Sequence, residues 1–138
     1  MTVLMMVAAI AAQSTDAKPA SPAEAIAIAA AHPERGSQGV FEMTVAAVER
    51  TPYALYLNSS ADYRSPEDVT FHLTARAAKT LEQRLGAKPE TALIGKRVVV
   101  RGDIRAVPVA NSVGGRPRSF NRYQHTVMVT QADQLSVY

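Results

Sequence analysis

The stretch "RVVVRGDIR", Arg97–Arg105, alternates strictly between two sets of residues. Val98, Val100, Gly102 and Ile104 share one side of an extended chain, while Val99, Arg101, Asp103 and Arg105 share the other. That period of two predicts a strand from Arg97 to about Val107 with one face toward a core. The same period appears from Gly39 onward. Phe41, Met43 and Val45 point one way and Glu42 and Thr44 the other, so a long strand is expected from Val40 to about Arg50. Its phase slips near Ala46-Ala47-Val48, as a bulge or bend would make it do. "ALYLN", Ala54–Asn58, reads as a second strand with Leu55 and Leu57 inward and Tyr56 outward. After a polar loop from Ser59 to Asp68, Val69, Phe71 and Leu73 alternate with Thr70, His72 and Thr74 in a third strand. A fifth runs from Tyr123 to about Val129, and the tail "TQADQLSVY" has room for a final short extended piece.

Two segments change period. Ala77, Ala78, Leu81 and Leu85 lie at helical spacing, with Thr74 as the cap and Gly86 as the stop. Upstream, "SPAEAIAIAAAHPERG" carries a capping box, Ser21 with Glu24, and Pro22 at the first helical position. His32-Pro33 ends that helix near Ala31. Its alanine-rich surface can lie close to another element while burying little area, or it is a spacer. The stretches "AKPET" and Pro108–Arg122, rich in Pro, Gly, Asn and Ser, read as a turn and a long loop.

Strand, strand, strand, helix, strand, strand, all antiparallel, predicts a mostly β domain. The layout is that of a five-stranded Greek-key barrel with one helix between strands three and four, plus the N-terminal helix. In this reading Leu81 and Leu85 stopper one end of the barrel, and closure removes the exposed edges of valine-rich strands.

The chain is long enough, at 138 residues, for one domain. Val3–Ala12 is apolar but too short to cross a bilayer as a helix. With the small residues that follow, Ala9-Ile10-Ala11 above all, it reads as a signal peptide over residues 1–17, although Met1-Thr2 supplies no Lys or Arg. Residues 18–38 then form the N-terminal helix and linker, and 39–138 the barrel domain. The expected location is periplasmic or secreted, and cytoplasmic if the leader is not a signal. No span is expected in the mature chain.

Cysteine is absent, so disulfides, thiolate metal sites and cysteine nucleophiles are excluded. Fifteen Lys+Arg face twelve Asp+Glu, a mildly basic balance whose distribution says more than its sum. Lys96, Arg97, Arg101, Arg105, Arg116, Arg118 and Arg122 stand in one stretch with Asp103 as its lone acid. That region is a solvated basic face or an anion-binding one. Asp103 sits between Arg101 and Arg105 on the same stripe, so an ion pair would use up part of the charge.

The segments "YALYLN", "VTFHLTARAAKTL", "LIGKRVVVRGDIR" and "HTVMVTQADQLSV" together resemble the small OB-fold domains of nucleic-acid-binding type, over about Phe41 to Val137. The chain departs from that pattern in Pro108–Arg122, which is longer than the usual turn; Gly115-Arg116-Pro117 takes the turn's place. The resemblance implies a ligand face on the outside of strands two and three, flanked by two loops. Tyr56 and His72 are its outward residues, and Tyr53, Tyr63, Arg64, Phe120 and Tyr123 lie in or beside the loops. Arg116, Arg118 and Arg122 would supply charge for phosphate, and "VGGRPR" is either an anion nest or a plain loop tip.

Chemistry beyond binding finds little support. His32, His72 and His125 are scattered, and Asp62, Glu67 and Asp68 read as a solvated loop before a weak cation site. There is no Ser-His-Asp elbow, phosphate loop or dinucleotide fingerprint. The expectation is therefore a non-catalytic, exported binding domain without cofactor, whose ligand is a polyanion, a small molecule or a protein. A single-stranded nucleic-acid binder is the second reading, and a structural or adaptor module of the envelope the third.

Overall fold

A computed structural model describes residues 18–113 and 116–138, the side chains of 110–122 excepted. The expected signal peptide and the glycines of "VGGRPR" lie outside the described residues. Helix α1 (Pro22–Ala31) starts on the Ser21–Glu24 capping box and ends at His32. Strands β1 (Ser37–Thr44), β2 (Ala47–Arg50), β3 (Ala54–Asn58) and β4 (Val69–Thr74) follow. Helix α2 (Ala75–Leu85) is capped by the Thr74 side chain and closed by Gly86 in the left-handed region, at φ 68°. A single turn of helix, α3 (Pro89–Ala92), occupies the expected "AKPET" turn. Strands β5 (Arg97–Val113) and β6 (Arg116–Val129), a short 3-10 turn at Ala132–Gln134 and β7 (Leu135–Val137) complete the chain.

These strands make one mixed seven-stranded sheet in the order β1-β5-β6-β4-β3-β2, with β7 added on β5. The five-stranded Greek-key OB-fold barrel is thereby overturned: the sheet is mixed and is not closed into a barrel. Three particulars account for the difference. The first expected strand is two strands, because the chain breaks at Val45-Ala46. Val45 N–H donates to the Lys96 carbonyl and the Val45 carbonyl accepts from Gly95, whereas Ala46 N–H donates to the Asn58 carbonyl. Adjacent residues thus bond toward opposite ends of the sheet, and those ends, β1 and β2, are joined by the chain and not by a ladder. Next, β4 and β6 run parallel, Val69 opposite His125 through Leu73 opposite Val129. The long crossover through α2, α3 and β5 is what a parallel pair requires. Third, the tail pairs with β5 as β7, Val98 opposite Val137.

The expected loop Pro108–Arg122 is also corrected. β5 and β6 continue as a hairpin, Pro108 opposite Tyr123 and Val113 opposite Arg116, with register shifts after Val109 and Asn111. Cross-strand pairing outweighs the turn-forming composition, and the irregularities fall among the residues that disfavour a regular ladder.

The core lies on the inward face, where Phe41, Leu55, Leu57, Phe71, Leu73, Val100, Ile104 and Val127 are all fully buried. Leu81 of α2 joins it and Leu85 packs at its margin, so that helix covers the sheet as the apolar stripe predicts, without a barrel to stopper. Helix α1 inserts Ala25 and Ala29 into the same core. Ala20 pairs beside β1, its N–H donating to Val40 and its carbonyl accepting from Glu42. Among the described residues no helix is long and apolar enough to cross a membrane.

Candidate ligand-binding site

Alternation sends every second residue of β2, β3, β4 and β6 to the outer face. Register then lines them up across four strands. Glu49 lies opposite Tyr56, Tyr56 opposite His72, and His72 opposite Met128. The neighbouring row is Ala47, Asn58, Thr70 and Thr126, and Arg105 on β5 extends it to a fifth strand.

In the first row the rings of Tyr56 and His72 have centroids 4.7 Å apart and planes tilted by 55°, within the range of favourable aromatic geometry. Burial holds the His72 pKa below its ordinary value, so near pH 7 the ring is neutral and serves as a flat surface, not a cation.

The second row is polar and shielded. Thr70 is fully buried, and Asn58 and Asp68 nearly so. Thr70 Oγ1 lies 2.7 Å from Asn58 Oδ1 and 2.9 Å from Asp68 Oδ2, and it accepts from Gln124 Nε2 at 3.2 Å. One hydroxyl proton thus serves two acceptors. Asp68 Oδ1 accepts from Ser60 N–H at 2.9 Å, and Ser59 Oγ accepts from Val69 N–H at 2.8 Å. These bonds fold the β3–β4 connection back over the outer face and bring Tyr63 to it. A cavity of about 240 Å³ results, lined by Glu49, Tyr56, Asn58, Tyr63 and Gln124.

Two uncommitted groups stand at its wall. With Asn58 Oδ1 used by Thr70, its amide N–H group is what Asn58 can offer; with Gln124 Nε2 used, Gln124 offers its carbonyl. Glu49 lines the cavity too, and among the described residues no cationic side chain does. Three described arginines are engaged: Arg64 Nε lies 3.1 Å from Asp62 Oδ1, Arg105 Nε 3.0 Å from Asp103 Oδ2, and Arg50 Nε 2.7 Å from Glu90 Oε2. The expected pairing on the Arg101–Arg105 stripe thus forms, between Asp103 and Arg105.

Of the residues expected at a ligand face, Tyr56 and His72 come together. Arg64 sits beside the cavity wall, its guanidinium carbon 6.0 Å from the Tyr63 ring centroid. Tyr53 does not join them; it is 84% exposed in the β2–β3 turn, its N–H on Thr51 Oγ1. Tyr123 falls on the opposite face of β6, in a separate groove with Ala30, Pro33, Ala106 and His125. Arg116, Arg118 and Arg122 lie along β6, with Arg122 opposite Val109; their side chains are outside the described ones, as is that of Phe120. Sequence reasoning missed Glu49, Asn58 and Gln124 as site residues. The parity of β2, after the phase slip at Ala46-Ala47, is the signal that would have turned Glu49 outward beside Tyr56. The loop acids Asp62 and Asp68 are spent on Arg64 and on Ser60 and Thr70, respectively.

No family model matches the chain, and no curated protein matches it.

Proposed function

We propose that this protein is a non-catalytic binding domain that holds an unstacked base of a single-stranded nucleic acid on the outer face of β3 and β4. One observation carries the reading: an outward aromatic pair, Tyr56 and His72, borders a polar cavity of about 240 Å³. A flat ring gives any base a stacking surface, worth about 1–3 kcal/mol per base. The polar wall of Asn58, Gln124 and Glu49 gives its edge hydrogen-bonding partners, as single-strand readers require. A binding role also suits the way the polar groups are held, since the Thr70 hydroxyl is fully buried and out of a substrate's reach.

Fluorescence anisotropy with labelled single-stranded and duplex oligonucleotides tests the reading. Single strands should bind and duplex should not compete. Tyr56→Ala should weaken binding by about tenfold or more, the loss of one stacked base. Equal binding of duplex, or an unaffected Tyr56→Ala variant, would reject it.

A further inference from the structure

Resting on that single-strand reading, we infer that the cavity selects guanine, through the Glu49 carboxylate. Glu49 is opposite Tyr56 on β2 and lines the cavity with Tyr56, Asn58, Tyr63 and Gln124. Every other carboxylate around this face is committed: Asp62 to Arg64, Asp68 to Ser60 and Thr70, and Asp103 to Arg105. The Glu49 carboxylate forms no hydrogen bond or ion pair among the described residues. It is therefore an acceptor pair without a partner among the described residues, set beside an aromatic platform.

The chemistry of the base edges decides what fits. An ionised carboxylate only accepts, and its two oxygens suit two parallel donors. Guanine alone among the four common bases presents two adjacent donors, N1–H and N2–H, on its pairing edge. Adenine and cytosine each place a ring-nitrogen acceptor beside their amino group. Thymine and uracil flank one N–H with two carbonyls. Each of these sets at least one lone pair against the carboxylate, and an acceptor facing an acceptor is left unpaired. The rest of the wall agrees, because the Asn58 amide N–H group is a donor of the kind guanine O6 accepts. The described lining disfavours a phosphate in the same space, since among the described side chains its charge is that of Glu49. The base enters the cavity and the backbone stays outside it.

The test uses short labelled oligothymidylates carrying one central G, A or C, with the all-thymine strand as reference; a single guanine avoids quadruplex formation. The G strand should bind the full-length protein about tenfold tighter than the others, as expected of one two-point contact to a base edge. Glu49→Gln, on an exposed residue, should fold normally by circular dichroism and lose the preference for G. Single strands bound without base preference, or a preference that survives Glu49→Gln, would overturn the inference and leave the single-strand reading standing. If no strand binds, that reading fails by itself, and guanosine titrated into the protein by NMR decides. Shifts that are saturable at the Glu49–Tyr56 pair, and absent with adenosine, would sustain guanine selection; their absence would end it.

Discussion

Arg84, in the last turn of α2, donates from Nη2 to the Leu135 carbonyl at 2.8 Å and from Nη1 to the Ala132 carbonyl at 3.3 Å. One side chain thereby ties the helix to the 3-10 turn and to the start of β7. Arg84→Met keeps much of the aliphatic stem and removes both bonds. Because the site is partly open to water, the expected cost is about 1 kcal/mol. That corresponds to about 4 °C in the melting temperature of a domain this size. A thermal melt followed by circular dichroism checks it, and an unchanged midpoint would show that the latch contributes nothing.

Thr70→Val preserves shape and deletes the hydroxyl at the centre of the buried network. Asn58 Oδ1, Asp68 Oδ2 and Gln124 Nε2 all lose a partner at once. Leaving buried polar atoms unpaired should destabilise the fold by about 2 kcal/mol. Urea titration measures that loss. Hydrogen exchange should also quicken across the β3–β4 connection, which the network holds down over the cavity.

Stability should depend on pH through two histidines. Burial lowers the pKa of His72 and of His125, with a hydrogen bond to the Asp68 backbone opposing it at His125. His125 is 8% exposed, and its Nδ1 has no partner among the described residues. A folded pKa below the ordinary 6.5 means the unfolded chain binds protons first as pH falls. The contribution is therefore complete above pH 6.5, declines below it, and levels off beneath the folded values. A second decline belongs to Glu90. Its hydrogen bond with Arg50 holds its pKa down at about 2, so that stability is present above 4.5 and is lost as pH falls toward 2. Denaturant midpoints across this range should show both steps. Replacing His72 and His125 with Gln should erase the upper one alone.

Salt dependence should locate the phosphate contacts. Arg50, Arg64, Arg97 and Arg105 each hold a carboxylate. The arginines expected to meet the strand backbone, Arg116, Arg118 and Arg122, lie along β6 by register. Changing all three to Ala should weaken binding and flatten the slope of log K against log salt by about 2 if each meets one phosphate. An unaltered slope would put the backbone elsewhere.

Much of this architecture is legible from local pattern. The Ser21–Glu24 box, the Thr74 cap and Gly86 are short-range devices, and each sits where its spacing predicts. The outward placement of Tyr56 and His72 follows from parity alone. What local pattern does not carry is pairing at a distance. Nothing in "VTFHL" or "HTVMV" states that the two strands lie side by side and parallel. The barrel expectation failed for the same reason, since alternation specifies faces but not whether two end strands share a ladder. Pro108–Arg122 misled through composition: its Pro, Gly and Asn favour turns, while the opposite strand of the hairpin supplies bonds that a single-strand reading cannot weigh. The cavity was half visible. Tyr56 announced itself as an outward aromatic, whereas Glu49 and Gln124 matter only because β2 and β6 come to flank it.

The parallel pairing of β4 with β6 has a consequence for synthesis. As the polypeptide leaves the ribosome, Val69, Phe71 and Leu73 are available long before residues 125–129 exist to line their free side. Through that interval the nascent protein presents an unsatisfied, strongly apolar ribbon. It is the point at which a holding chaperone would engage, and at which overproduction should drive the chain into inclusion bodies.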